Sequence, residues 1–484
     1  MRTKTFLWTL LSTAVVLATA TGCTTTDEKY EYIRIQETTY SFLGDGNEPQ
    51  VINIEASSEV TAEPSASWIT LSDQTETSLT VSVTDNELDE ERTGIITLTA
   101  GNAYAEITIV QLPRTNNMPV YNYYGAYDMG AAMSPNGRYC VGTRHVLNED
   151  NSYSMYPTFY DLKTGDVIEV GPLLNDQYSL EKPMAVTDQG TAFVYTSQNF
   201  TAAITIDGDV FIPEVPEGSN GNTANVQGVS EDGSTWVGFY YPEPLNCRPL
   251  KWVDGIPEEL EMPELTYRGD KPATWCMARG MSLDGSVIYG TQWEDFTTGM
   301  VYWKDGKLDY VGKDCFKRHT EKIKDATGNM VDYPCVDGMR CTAELQKMSP
   351  NGTWIAGNFY EEVVDADGNM TTNIYPAFYN TVTETTTIFR DNPGCAAITA
   401  TEDGIAVIAN GTTMMTSGFV VDLNTGANLG DCLSYIKEQM GINVSDGYIT
   451  KFSPDKQTIL GNMMKSSALG TEFTQFSVSP RPAK

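Results

Sequence analysis

The sequence has 484 residues, with 31 Lys or Arg against 64 Asp or Glu and a formal charge of −33. A sequence-independent grip on nucleic-acid phosphates is excluded by that balance. The 40% hydrophobic and 20% charged composition, with 26 Tyr, 16 Phe and 8 Trp, is that of a folded chain and not of an acidic tail. Two histidines, His145 and His319, leave little material for a His-built zinc site or a His-based triad.

In chain order, Met1 to Gly22 reads as an export signal: Arg2 and Lys4, an apolar run from Phe6 to Ala18, then small residues up to Cys23. The run is too short to span a bilayer permanently. Its end, Ala20-Thr21-Gly22-Cys23, resembles the lipobox of bacterial lipoproteins, which implies lipidation at Cys23. The following Thr24-Thr25-Thr26-Asp27-Glu28 resembles the export tag of Bacteroidetes surface lipoproteins. The expected organisation is a signal over 1–22, a lipidated Cys and polar tether over 23–31, and a soluble body held at the outer membrane by its lipid. The outer face is the expected location and the periplasmic face the alternative. Eight further cysteines are scattered without a CxxC pair, so isolated buried thiols are expected, with one bridge among Cys315, Cys335 and Cys341 as the exception.

From residue 32 to 113 the pattern is short alternating strands, Val51-Ile52-Asn53-Ile54, Leu79 to Val83, Ile95 to Leu98 and Ala105 to Val110, separated by turn clusters. Period two and β-branched residues predict a small antiparallel sandwich. The landmarks Ser67-Trp68-Ile69, Arg92-Thr93-Gly94 and Ile107-Thr108-Ile109-Val110-Gln111 resemble the BACON domain, an immunoglobulin-like module of Bacteroidetes surface proteins proposed to bind carbohydrate. Trp68, between small residues and an Ile, reads as core and not as a sugar platform. The domain is therefore expected to act as a spacer or accessory binder.

Past Pro113 a second grammar repeats: Ser134-Pro135-Asn136-Gly137, Thr187-Asp188-Gln189-Gly190, Ser230-Glu231-Asp232-Gly233, Ser282-Leu283-Asp284-Gly285, Ser349-Pro350-Asn351-Gly352, Thr401-Glu402-Asp403-Gly404 and Ser453-Pro454-Asp455-Lys456. Each is a tight-turn sequence followed by a strand. Lys456 stands where the others have Gly and should carry a left-handed backbone at a cost of about 1 kcal/mol. The fourth residues are offset by 53, 43, 52, 67, 52 and 52, a period suited to four-stranded propeller blades. Five units place a Gly five residues later, Gly142, Gly238, Gly290, Gly357 and Gly461. The repeats resemble HAF-type extracellular repeats and the TolB-like and WD-repeat propellers. The predicted fold is all-β: an N-terminal Ig-like sandwich followed by a seven-bladed β-propeller over 118–480. Residues 120–124 are expected to supply the outer strand of the seventh blade. Trp236, Trp252, Trp303 and Trp354 fall in repeated strand positions and read as core.

One propeller face should collect the second-to-third-strand loops and the inter-blade loops. The ligand-binding candidates there are Tyr124, Tyr127, Arg144, Tyr240, Tyr241, Trp275, Arg279, Trp293, Arg340, Phe359 and Tyr360. Aromatic faces stack on the C–H face of a pyranose, and charged groups supply directional hydrogen bonds. His145 and His319 read as exposed loop residues. The run Asp365-Ala366-Asp367-Gly368-Asn369 begins like a calcium loop, but Pro376 stands where the bidentate Glu belongs, so it reads as a hairpin tip. There is no GxSxG, HExxH or P-loop, and no catalytic residue, metal or cofactor is expected.

The function expected from these residues is binding of a glycan without transforming it. Repulsion from the net charge favours a neutral sugar. A protein-interaction scaffold for outer-membrane partners is the alternative, and a propeller polysaccharide lyase or glycosidase, built on some pair of carboxylates, a further one.

Overall fold

The computed structural model describes residues 31–480 except 36–37, 43–46, 48, 76, 87–91, 112–118, 124–131, 148–152, 171–179, 220–222, 295–296, 342–346, 413–414 and 468–469. The expected signal, Cys23 and its tether, Tyr124 and Tyr127 lie outside the described residues. The chain divides into two compact units, residues 1–115 and 116–484.

The first unit is a two-sheet sandwich. One sheet orders Ile33–Ile35, Gln50–Ala56, Ser78–Val83 and Ile69–Ser72; the other orders Thr39–Phe42, Ala103–Gln111, Arg92–Ala100 and Thr61–Pro64. Alternation puts Ile52, Ile54, Leu79, Val81, Ile96, Leu98, Ile107 and Ile109 into one core. The expected all-antiparallel pairing is broken once, because Thr39–Phe42 runs parallel to Thr108–Gln111. The sequence landmarks converge on one spot. The Arg92 guanidinium lies 4.4 Å from the Trp68 ring centroid. Its Nε donates to Gln111 Oε1 (2.8 Å) and its Nη2 to the Thr84 carbonyl (2.7 Å). Trp68 packs on the core, and a Cβ at Gly94 would press on Ile69 and Trp68. Arg, Gly, Trp and Gln are thus one packing device that ties both sheets together.

The second unit holds seven blades, numbered in chain order; six are four-stranded, and the fifth has three strands, Trp354–Val364, Met370–Asn380 and Thr385–Ile388, with the isolated bridge Met348↔Ile355 in place of an inner strand. Five are separate sheets: residues 132–169, 180–211, 225–259, 396–431, and the seventh, in which Tyr448–Phe452, Ile459–Ser467 and Gly470–Pro480 are completed by Pro119–Tyr123. Phe476 pairs with Tyr123 and Pro480 with Pro119, so the outer strand of the last blade comes from the start of the unit, covering an edge that would otherwise be open.

The fourth and fifth blades depart from the simple repeat. The 67-residue offset contains an added hairpin, Lys317–Lys324 with Met330–Arg340. Its second strand pairs with the fourth blade at Gly299↔Arg340 and with the fifth at Gly338↔Tyr360, fusing both into one nine-stranded sheet. Tyr267 fills the junction. It is fully buried, donates its hydroxyl to the Met339 carbonyl (3.0 Å), and occupies the space that a Cβ at Gly299 or Gly338 would need.

The repeated residues acquire physical reasons. In the Asp-bearing turns, Ser or Thr Oγ donates to the Asp two positions on: Ser230 to Asp232 (2.7 Å), Ser282 to Asp284 (2.6 Å), Thr401 to Asp403 (2.7 Å) and Ser453 to Asp455 (2.5 Å). Lys456 does take the left-handed conformation (φ 60°) and makes an ion pair with Asp403 across to the preceding blade (2.6 Å). The recurring Gly sits where the second strand meets neighbouring atoms: a Cβ at Gly238 would strike the Asn225 carbonyl, and at Gly290 the Met277 carbonyl and the Trp303 ring. Trp252 and Trp303 are buried, each donating Nε1 to a carbonyl of the preceding blade's exit, Glu214 (2.7 Å) and Glu261 (2.8 Å). A helix, Cys432–Met440, capped by Asp431 at its N-terminus and by left-handed Gly441 at its end, follows the sixth blade and packs Cys432 and Ile436 into the core.

Candidate functional site

The ends of the third and fourth blades opposite the Ser-x-Asp-Gly turns bring together Tyr241, Trp275 and Trp293, while Arg279 lies farther along the inner strand Cys276–Met281, toward the Ser282 turn. In the fourth blade, Trp275 immediately precedes the inner strand Cys276–Met281, and Trp293 lies near the end of the paired strand Val287–Glu294. The Trp293 amide donates to the Trp275 carbonyl (3.3 Å), and the two indoles meet edge to face at 5.3 Å. Trp275 meets Tyr241 of the third blade at 5.6 Å, and Tyr241 meets Phe239 at 5.7 Å. The Arg279 guanidinium closes the series, 5.8 Å from the Phe239 centroid.

The series is graded in exposure. Trp293 is 43% exposed, Tyr241 and Trp275 are half-buried, and Phe239 packs in a small core with Cys247 and Met277. Burial pushes the Tyr241 phenol up to about 12, so it is a neutral hydrogen-bonding group at ordinary pH. The Trp275 Nε1 donor is buried without a partner, so the contact surface that Trp275 offers is the ring and not its N–H.

Phe239 was absent from the sequence candidates. Its signal was available in strand alternation, since Phe239 and Tyr241 are two apart and share a side. The same alternation removes Tyr240, which is buried on the other side and hydrogen-bonded to Glu259. Phe359 is likewise buried in the fifth-blade core, although Arg390 lies 5.4 Å from its ring. These two are corrections to the expected rim: both side chains serve packing.

Arg340 also departs from expectation. It ends the inserted strand instead of lying in a loop, is 7% exposed, and donates Nη2 to Glu362 Oε1 (2.8 Å) and to the Val336 carbonyl (2.9 Å). Arg268 grips the same carboxylate through Nη1 and Nη2 (2.9 and 2.8 Å), and the Val336 amide donates to it as well (2.9 Å). Burial acts to raise the Glu362 pKa, but these donors outweigh it and hold the carboxyl below its usual range. Tyr360 is half-buried with the Arg340 guanidinium 4.8 Å from its ring centroid. This network anchors the inserted hairpin. Arg144 lies in the strand Tyr139–Leu147 opposite Tyr156.

His319 is not an exposed loop residue: it lies in the inserted strand with a side chain only 16% exposed, near Asp337 and Glu321. The eight cysteines of the described region are free, Cys315, Cys335 and Cys341 among them. The Asp365 loop is the tip of the hairpin between Trp354–Val364 and Met370–Asn380, its carboxylate accepting from the Asp367 and Asn369 amides (2.9 Å each). Among the described residues, no group of three His, Cys, Asp or Glu side chains is placed to hold a metal.

Against known families, one match covers part of the first unit. Residues 57–112 match the BACON domain, described as "Putative binding domain, N-terminal". The BACON match takes in Trp68, Arg92, Gly94 and Gln111, the residues of the packing device described above. No curated protein matches the sequence. Among solved structures, a Bacteroides ovatus GH5 xyloglucanase in complex with a heptasaccharide is 18% identical with a TM-score of 0.17; the match covers 25% of this chain, which spans 30% of the xyloglucanase chain. The propeller domain of the Trilobed protease from Pyrococcus furiosus is 13% identical with a TM-score of 0.37, covering 72% of this chain and 94% of its own. TolB from Acinetobacter baumannii is 10% identical with a TM-score of 0.30, covering 71% and 77%.

Proposed function

We propose that this is a lipid-anchored outer-membrane protein that binds a glycan at the Tyr241–Trp275–Trp293 cluster of its propeller without transforming it. The observation that carries the reading is the graded series of rings, from the 43% exposed Trp293 inward to the half-buried Trp275 and Tyr241. An exposed aromatic ring beside a half-buried, neutral phenol at Tyr241 suits a sugar, which offers an apolar C–H face and hydroxyl oxygens together. The BACON domain serves as spacer or accessory binder.

The test is a glycan array with the full chain, followed by product analysis of every hit. Binding that is lost on Trp275→Ala or Trp293→Ala and yields no product supports the reading. Product formation turns attention to carboxylates and an enzymatic role. Absence of any hit favours the interaction-scaffold reading.

A further inference from the structure

We infer that the glycan bound at this cluster carries a carboxylate, a uronic acid residue, and that Arg279 is the group that receives it. The inference rests on the glycan reading above and narrows it. It also replaces the expectation of a neutral sugar, because what a ligand meets is the local charge and not the charge of the whole chain.

The position of Arg279 follows from two β-bulges. The inner strand of the fourth blade slips register between Ala278 and Gly280, and that of the third between Val226 and Gly228, so Arg279 and Gln227 are the extra residues. Bulges re-aim the extra side chain. The glycines that follow let the two inner strands approach closely, since a Cβ at Gly228 would stand 2.9 Å from Gly280 Cα. Gln227 and Arg279 are thereby set side by side, with Arg279 Nη1 donating to Gln227 Oε1 (3.4 Å) and Nε donating to Thr291 Oγ1 (3.2 Å).

Those two bonds orient the guanidinium but do not neutralise it. Arg268, Arg340, Arg138, Arg390 and Arg34 each have a carboxylate partner. Arg279 has none among the described residues and shares this with Arg248 and Arg318, but of the three it alone contacts a ring of the aromatic series, Phe239. Of the five N–H donors of a guanidinium, two are engaged. The free Nη2 is not among the atoms sealed from solvent without a partner. A planar, half-buried cation with a free donor edge is the arrangement that receives a carboxylate with two parallel hydrogen bonds. The buried Phe239 ring lies between the guanidinium and Tyr241, which in turn meets Trp275, so the proposal requires a ligand long enough to reach from the indoles to Arg279: an oligosaccharide and not a single sugar.

The experiment is calorimetric titration of the full chain with oligogalacturonate, oligoglucuronate and oligomannuronate, each beside its carboxyl-reduced neutral counterpart. At least one uronate should bind, and carboxyl reduction should weaken it tenfold or more. Arg279→Gln should cause a similar loss and Arg279→Lys a smaller one. Carboxyl reduction changes the ligand alone, so the comparison holds even if a variant folds poorly. Equal affinity for a uronate and its reduced form would overturn the carboxylate inference and leave the glycan reading standing. Binding to no glycan, charged or reduced, would overturn both. Binding only to peptides with a free C-terminal carboxylate, and not to their amides, would keep Arg279 as the receptor and overturn the uronate assignment.

Discussion

Ser134 donates its hydroxyl to Asp188, a residue of the next blade (2.6 Å). Where the turn carries Asp at its third position the bond is made within the turn, as in Ser282 to Asp284. Where it carries Asn, as at Asn136 and Asn351, the acid comes from the second position of the following turn. Asp188 also accepts from the Asn136 amide (3.0 Å), and Glu402 accepts from Ser349 Oγ and the Asn351 amide (2.9 Å each). An Asn in the turn is thus compensated by an acid in the neighbouring blade, which binds consecutive blades together.

Asp188→Asn should therefore destabilise the propeller by about 1.5–3 kcal/mol, the range for a hydrogen bond to a charged group. Adding Asn136→Asp should restore part of the loss by returning the acid to the first turn, and only part because the Asn136 side-chain amide donates to Glu231 Oε1 (2.9 Å), a bond that the new carboxylate turns into a repulsion. Denaturant midpoints of the single and double variants check this, and additive losses would contradict it.

Gly290→Ala should cost several kcal/mol, because the added methyl meets the Met277 carbonyl and the Trp303 ring with no room to move. Gly255→Ala has open space but a left-handed backbone (φ 80°), so its cost should stay near 1 kcal/mol. Thermal melts of the two variants give the ranking.

Glu362→Gln should destabilise by about 3–5 kcal/mol, since it leaves two guanidiniums facing a neutral amide in a buried setting. Because the network anchors the inserted hairpin, amide exchange over residues 317–340 should rise more than exchange in the sixth blade. Uniform change across both regions would contradict that localisation.

Lys451 gives a pH signature. Its ammonium donates to the Met133 carbonyl (2.7 Å), and desolvation lowers its pKa to about 8, despite the favourable influence of nearby Asp188. The unfolded chain keeps this proton up to about 10.4, so between about 8 and 10 the unfolded state binds more protons and stability gains from rising pH. Lys451→Met should remove that slope and raise stability at pH 7 by up to about 3 kcal/mol. Urea titrations of both proteins at pH 7 and pH 9.5 read the difference.

The fold was legible because the features that specify it are local and repeated. A turn must have its Ser, Asp and Gly at fixed spacing, and a strand must alternate, so seven turns and the missing outer strand could be counted along the chain. The inserted hairpin was visible only as an anomalous offset of 67, since pairing across two blades leaves no local mark. The candidate site was legible in part. Tyr241, Trp275 and Trp293 come together, with Arg279 joined to them through the buried Phe239, but adjacency in sequence misled at Tyr240 and Phe359, where alternation turns neighbours to opposite sides. Arg340 was misjudged because its partners, Glu362 and Arg268, are distant in sequence and meet it only through the added hairpin.

The most direct measurement is calorimetric titration of the strongest array glycan into the full chain and into Trp293→Ala. Trp293 is exposed enough that its loss should leave the fold intact, and thermal melting checks that it does. The account predicts an affinity weaker by tenfold or more, about 1.4 kcal/mol, with no product formed. Unchanged affinity in Trp293→Ala would contradict it and place the ligand elsewhere on the protein.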